Sequence, residues 1–290
     1  MTKAILTDVT RCIGCESCVK ACVEEYHLGE YEKFRWVRGD GLSASRFCSV
    51  LRRPGRLYVR KQCRHCIEPA CASACPVGAL HRLPNGPVVY DKEKCLGCRY
   101  CMMACPYGIP RYEWESPVPG IRKCIMCYKR LEQGRQPACT EACPVKATIF
   151  GDRNDLLNEA KARIKANPGK YKHKVFGEKE VGGTSVLYIS PVDLNFLFLG
   201  GESRTEVFPK LTEAAMHAVP PVFLAMGALM GGLWWVCERR EKNMAKKRGP
   251  DDHRPPGNGQ GGGAVDTEGD QAQPGGTANQ ETPGEEGPGK

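Results

Sequence analysis

Eighteen cysteines in 290 residues set the chemistry of this chain, and sixteen of them fall into four groups of four. The groups are Cys12, Cys15, Cys18 and Cys22; Cys63, Cys66, Cys71 and Cys75; Cys95, Cys98, Cys101 and Cys105; and Cys124, Cys127, Cys139 and Cys143. Each opens on a Cys-x2-Cys pair and closes on a Cys-x3-Cys step. Pro76, Pro106 and Pro144 follow the last three groups, and Val23 takes that place after the first. The third group runs Cys-x2-Cys-x2-Cys-x3-Cys-Pro, the spacing that holds [4Fe–4S] clusters in pairs. Three thiolates on one tight loop can face three corners of a single cubane. The fourth starts a new segment beside a proline that breaks regular structure, and it points to the neighbouring cluster.

That rule makes every group half of a pair. A symmetric arrangement nests them, second with third inside and first with fourth outside. The assignment is then Cys12, Cys15 and Cys18 with Cys143; Cys124, Cys127 and Cys139 with Cys22; Cys63, Cys66 and Cys71 with Cys105; and Cys95, Cys98 and Cys101 with Cys75. Disulfide frameworks belong to small secreted chains and are not built from repeated Cys-x2-Cys pairs. Structural zinc arrives as two such pairs or as Cys/His mixtures, not as runs ending in Cys-Pro. The formal charge of +9 would otherwise invite a nucleic-acid partner. Here basic residues have a use beside polyanionic clusters, and no nucleic acid is expected.

Cys48 and Cys237 remain outside the groups. Cys48 reads as an ordinary half-buried thiol. His65 lies inside the second loop, where four cysteines already complete the ligand count, so a bystander or hydrogen-bonding role is expected.

Short elements must carry these loops. Thr7–Arg11 reads as a strand and turn before the first group, and Arg56–Arg60 and Val88–Tyr90 as strands. Val23–Gln62 reads as an insertion covering cluster edges, a surface loop with Tyr26, Tyr31, Phe34 and Trp36 followed by the Arg56–Arg60 strand. Tyr128–Gly134, in the long gap of the fourth group, reads as a helical turn ending at glycine. Asp152–Ala166 places Leu156, Ala160 and Ile164 on one helical face, and Asn167-Pro168-Gly169 stops it. Gly182-Gly183 opens a strand, Thr184–Ile189. Gly14 and Gly97 sit where a cluster loop benefits from a residue without a Cβ.

Ala214–Cys237 contains no Asp, Glu, Lys or Arg and is long enough to span a bilayer. Trp234-Trp235 closes it, as interfacial aromatics do. Arg239, Arg240, Lys242, Lys246, Lys247 and Arg248 follow. The positive-inside rule sets that basic segment in the cytoplasm and the cluster region on the opposite, periplasmic face. No cleavable export signal is read at the start of the chain, so export with a partner is expected. His217 near the boundary suggests a satisfied interfacial histidine before a haem or quinone contact. Gly249–Lys290 has almost nothing to bury and is expected to be disordered.

The expected fold class is α+β: duplicated two-cluster ferredoxin-like domains, one C-terminal transmembrane helix and a disordered tail. The expected division is 1–152 for the four-cluster region, 153–212 for its extension, 213–237 for the membrane helix and 238–290 for the basic segment and tail.

The four groups, Cys105-Pro-Tyr-Gly-Ile-Pro110, Gln136-Pro-Ala-Cys-Thr-Glu-Ala-Cys-Pro144, Gly182-Gly-Thr-Ser-Val-Leu-Tyr188 and the apolar C-terminal segment carry a resemblance. From about Thr7 to Arg248 the chain resembles the four-cluster electron-transfer (β) subunits of the dimethyl sulfoxide reductase superfamily. It looks most like the iron–sulfur subunit of membrane-bound formate dehydrogenase and HybA-like hydrogenase subunits. The x11 gap of the fourth group looks more like formate dehydrogenase. The resemblance implies the same nesting, four [4Fe–4S] clusters and no active site. It also implies a catalytic partner with molybdenum or tungsten on a pterin, or with nickel–iron. An integral membrane quinone- or haem-binding subunit would be the other partner. Equivalent subunits of hydrogenases and of sulfur- or nitrogen-oxide reductases share the pattern. A stand-alone iron–sulfur enzyme would need a substrate pocket or a radical-SAM triad, and no such triad is present.

Overall fold

The computed structural model describes residues 1–31 and 39–247; the expectations for Phe34, Trp36 and the Gly249–Lys290 tail lie outside them. The chain opens on β1 (Lys3–Asp8), earlier than the stretch from Thr7, and then turns into the first cysteine loop and α1 (Ser17–Glu25). A hairpin follows, β2 (Cys48–Arg53) and β3 (Leu57–Gln62), then α2 (Ala70–Ser73), β4 (Leu80–Arg82), β5 (Val88–Tyr90) and α3 (Tyr100–Ala104). Next come β6 (Arg111–Tyr112), β7 (Ile121–Arg122), α4 (Tyr128–Glu132) and α5 (Ala138–Glu141). β8 (Thr148–Asp152), α6 (Arg153–Ala166), β9 (Val186–Ile189) and α7 (Phe208–Lys247) complete the order.

The ends of the cysteine region are tied by one sheet. β1 is its centre, with β8 antiparallel (Ile5 opposite Phe150) and β9 parallel (Ile5 opposite Val186). Side chains alternate across a strand, and here both faces are buried. Ala4, Leu6, Leu187 and Ile189 pack under α6 through Leu156, Leu157, Ala160 and Ile164. Ile5, Val186 and Tyr188 face the other way, onto Val59, Met126 and Cys139. The sheet is therefore a wall with a helix behind it and thiols in front.

The Val23–Gln62 insertion differs from its expected form. Cys48–Arg53 is a strand, not loop, in continuous register with β3 from Cys48 opposite Gln62 to Arg53 opposite Leu57 around the Pro54-Gly55 turn. Cys48, expected half-buried, is 2% exposed. Asp40 clamps the insertion to β3 and β6, with Oδ2 2.9 Å from Lys61 Nζ and 2.5 Å from an Arg111 guanidinium nitrogen. Burial alone would raise this carboxyl; the two cations outweigh it and hold it below the usual carboxylate range. Asp40→Ala takes the carboxylate from Lys61 and leaves Arg111 only the Leu42 and Gly108 carbonyls, and is expected to cost about 1–3 kcal/mol, measured as a lower denaturation midpoint.

The chain divides into two units, Met1–Leu224 with all the cysteine groups and a second that begins at Ala225. α7 is continuous for 40 residues, through Pro220 and Pro221. Phe208–Met244 within it is long and apolar enough to cross a membrane: its most apolar window has a mean hydropathy of 1.6 and is not buried at all.

Candidate metal centres

The cysteine loops repeat their backbone. Gly14 and Gly97 both have φ +70°, and Glu16 and Arg99 behind them are both left-handed, at 60° and 63°. Each of those residues opens a helix, α1 and α3 respectively. In the second and fourth groups His65 and Met126 occupy matching positions, with φ 48° and 55°. Pro69 and Pro137 then start α2 and α5 one residue before Ala-Cys. The x11 gap of the fourth group is filled by α4 and closes at Gly134, as its sequence suggests.

The two loop glycines each lie under a tyrosine ring. A Cβ on Gly14 would stand 2.4 Å from Cδ1 of Tyr58, and one on Gly97 would stand 3.3 Å from the Tyr112 hydroxyl. Gly14→Ala therefore combines a left-handed backbone with a collision, a cost of at least about 1 kcal/mol from the backbone alone. Iron loss per chain, with Gly97→Ala losing less, is the expected result and is read by iron analysis.

Four neighbourhoods of thiols emerge from the mutual influence of the cysteines. Burial pushes the Cys12 thiol up to about 11, opposed by the Gly14 N–H and aided by Cys18, Cys143 and Cys15. A hydrogen bond with Cys48 lowers Cys22, but burial and the charges of Cys124, Cys139 and Cys127 raise it. Burial and the charges of Cys105, Cys63 and Cys71 hold Cys66 well above the ordinary thiol value. Burial, with Cys75, Cys95 and Cys98, pushes Cys101 up to about 11. In each neighbourhood one cysteine is the last of its own group and three come from another.

Each neighbourhood also lies within electrostatic range of the next. Cys18 acts on Cys139, Cys63 on Cys124, and Cys101 on Cys71. The order is thus Cys12/15/18/143, Cys22/124/127/139, Cys63/66/71/105 and Cys75/95/98/101. Cys15 and Cys98, at opposite ends, are exposed, whereas every cysteine of the second neighbourhood is buried and only Cys66 of the third is half-buried.

Among the described residues no three or more His, Cys, Asp or Glu side chains converge on a point that could hold a single ion. A zinc site would need its sulfurs about 2.3 Å from one centre. Buried donors nearby also lack protein acceptors: Nε, Nη1 and Nη2 of Arg60 and Nε2 of His65 have no hydrogen-bond partner among the described residues. Thiols in fours and orphaned donors beside them fit an iron–sulfur cube, whose sulfides accept hydrogen bonds.

Hydrogen bonds to the cysteine sulfurs come from the loops themselves. Gly97 N–H reaches Cys95 Sγ and Met126 N–H reaches Cys124 Sγ, each at 3.4 Å. Such bonds tune a cluster's potential.

Several residues at these centres carry no sequence motif. Arg60 is 1% exposed, and Cys139 and Cys18 are the charges that act on it most strongly. Lys123, also buried, donates to the Val88 carbonyl (2.5 Å) and the Cys124 carbonyl (3.1 Å), and its charge lowers Cys71. Arg64 lies over the Tyr188 ring at 4.0 Å. The only hint in the sequence is adjacency, Lys123 before Cys124 and Arg64 after Cys63. Cys48 Sγ donates to the Cys18 carbonyl at 3.6 Å and packs in one core with Cys22. His65 is fully buried; its Nδ1 accepts Val88 N–H at 2.9 Å, so Nε2 carries the proton. Cys237 is exposed on α7, and His217 stands 3.9 Å from Glu213, one helical turn away.

Comparison with known proteins agrees with this chemistry. Residues 55–153 match the 4Fe–4S dicluster domain. The chain is 39% identical over 255 residues to a protein of Nitratidesulfovibrio vulgaris, covering 84% of this chain and 69% of that one. It is 33% identical to the hydrogenase-2 operon protein HybA of Escherichia coli O157:H7, over 86% of this chain and 88% of HybA. It is 36% identical to the iron–sulfur subunit of the nitrate-inducible formate dehydrogenase of Escherichia coli K12, over 64% of this chain and 67% of that subunit.

Proposed function

Because the chain belongs to the family of iron–sulfur electron-transfer subunits of respiratory oxidoreductase complexes, we propose that it is a wire of four [4Fe–4S] clusters joining a catalytic subunit to a membrane partner. The clusters would supply four one-electron sites. Cys12, Cys15, Cys18 and Cys143 hold the first, Cys22, Cys124, Cys127 and Cys139 the second, Cys63, Cys66, Cys71 and Cys105 the third, and Cys75, Cys95, Cys98 and Cys101 the last. The first and second form the outer pair of a duplicated two-cluster ferredoxin fold, the third and last the inner pair. Residues 1–152 supply every ligand, and 153–212 brace them, with α6 behind the sheet and Tyr188, Phe198 and Phe208 packed on the thiol side.

The observation that carries this proposal is the succession of thiol neighbourhoods, buried in the middle and exposed at Cys15 and Cys98. Ile13 beside Cys15, and Leu96, Tyr100 and Met103 around Cys98, are exposed apolar side chains. Such rims suit partner subunits that must bring a redox centre close and exclude water. Loop amides, Lys123 and the buried walls hold the sulfurs in place and keep solvent away, and no general acid, base or nucleophile is required.

The catalytic partner proposed is a molybdenum- or tungsten-pterin formate dehydrogenase, and the acceptor an integral membrane subunit binding quinone or haem. A nickel–iron hydrogenase is the second reading, favoured by the HybA relative matching over more of its own length than the formate dehydrogenase subunit does. Nickel or molybdenum in the co-purified complex separates the two. α7 crosses the cytoplasmic membrane once, with Arg239–Lys247 in the cytoplasm and the cluster region in the periplasm. Alkaline phosphatase fused after Lys247 is then expected to be inactive; an active fusion reverses the topology.

Iron analysis and EPR of anaerobically purified, dithionite-reduced protein test the wire. About sixteen iron per chain with coupled [4Fe–4S] signals is expected. About eight would leave half the ligand groups unfilled, and zinc in place of iron would end the proposal.

A further inference from the structure

Arg60 lies in the middle of β3, opposite Val50, and its carbonyl accepts the Tyr188 hydroxyl at 2.8 Å. Its backbone is thus fixed from two sides. Its side chain is 1% exposed, and its three guanidinium nitrogens find no oxygen or nitrogen acceptor at hydrogen-bond geometry among the described residues, the thiol of Cys139 being the group they approach. A guanidinium stays charged at any pH the protein meets. A charge buried without a carboxylate or carbonyl partner is among the costliest arrangements in a protein, so an anionic acceptor belongs beside it. The groups it faces are Cys139 and Cys18, then Tyr188 and Cys48. Cys18 and Cys139 belong to different neighbourhoods, the first and the second of the wire.

We propose that Arg60 is a positioning cation shared by the two outer clusters, donating to sulfurs of both and raising both reduction potentials together. The proposal rests on the cluster ligation set out above. An electron passing from the first centre to the second changes no bond and moves no proton; one centre is oxidised and the other reduced. A cation between them stabilises the added electron on either side, so it eases entry to the pair without making either member a trap. Lys123 is a second buried cation, and its charge acts on Cys71 of the inner pair.

The test is an EPR-monitored redox titration of the full chain in its complex, wild type beside Arg60→Gln and Arg60→Lys, with iron counted in each. Wild-type protein without iron would sink the cluster reading itself, which separates that failure from this one. In loaded protein, Arg60→Gln is expected to lower two couples of this chain. Each should change the reduced-to-oxidised ratio at fixed potential at least tenfold, equivalent to about 59 mV for one electron. The other two couples should stay in place, and Arg60→Lys should lie close to wild type. Fewer than two shifted couples in Arg60→Gln, or a uniform shift of all four, would overturn the proposal. Should Arg60→Gln fail to load the outer pair, iron decides. Retention in Arg60→Lys upholds the role of the charge, and loss in both variants assigns Arg60 to packing alone.

Discussion

Cys124→Ala is expected to remove or convert one cluster in the middle of the wire and to stop electron delivery to the membrane partner. Iron should fall from about sixteen toward about twelve per chain, or about fifteen if a three-iron cluster survives. Cys124 is chosen for its place. It is buried, it stands with Cys22, Cys127 and Cys139, and Cys63 of the next neighbourhood is the strongest charged influence on it. An electron entering at the Cys15 end has no solvent-exposed way round this point, since every cysteine of the second neighbourhood is buried. The catalytic subunit should still reduce an artificial dye, while quinone reduction by the complex falls to background. Cys48→Ala is the control: its residue is buried deeper still but completes no set of four, so iron content should match wild type. Unchanged iron and spectra in Cys124→Ala would remove that residue from the ligand set.

The thiols were the legible part of this molecule because ligand spacing is local. Three cysteines within seven residues can face one object whatever the rest of the fold does, and the fourth announces a second object by its offset and its proline. The helix over Arg153–Ala166 was legible for a similar reason: Leu156, Ala160 and Ile164 recur at helical spacing, and all three are buried. Arg60 was not. Alternation along β3 would send Val59 inward and its neighbour out, yet both are buried, because β3 has the sheet wall on one side and thiols on the other. A rule that prices a buried arginine as an error fails where the missing counter-charge is not protein. The strand at Cys48–Arg53 was obscured by its basic end, Arg52-Arg53, although the Pro54-Gly55 turn behind it marks a hairpin. Cys48 looked solitary in sequence because its companions, Cys18 and Cys22, are brought to it by that hairpin and by α1 rather than by spacing.

A chain ending at Lys210 is expected to leave the membrane fraction and remain in aqueous solution without detergent, with the iron content of the full chain. The cut must spare Val207 and Phe208. Val207 lies where a side chain on Gly182 would meet it, 2.8 Å from a Cβ placed there, and Phe208 packs against the core that contains Cys22, Cys63, Cys105 and Cys124. Beyond Lys210, α7 gives that core no ligand. It presents Phe223 (74% exposed), Leu224 (76%) and Trp234 (66%) among other bare apolar side chains. At about 1.5–3 kcal/mol for each Val, Leu, Phe or Met left in water, some ten such residues amount to on the order of 20 kcal/mol, which a bilayer relieves and water does not. Pro220 and Pro221, which would break a helix standing alone in water, are tolerated in a membrane, where neighbouring groups re-satisfy the freed backbone. Fractionation after carbonate washing reads the outcome. A truncated chain that still sediments with membranes would show that a partner subunit holds this protein there, and α7 would then have to be a contact within the complex instead of its anchor.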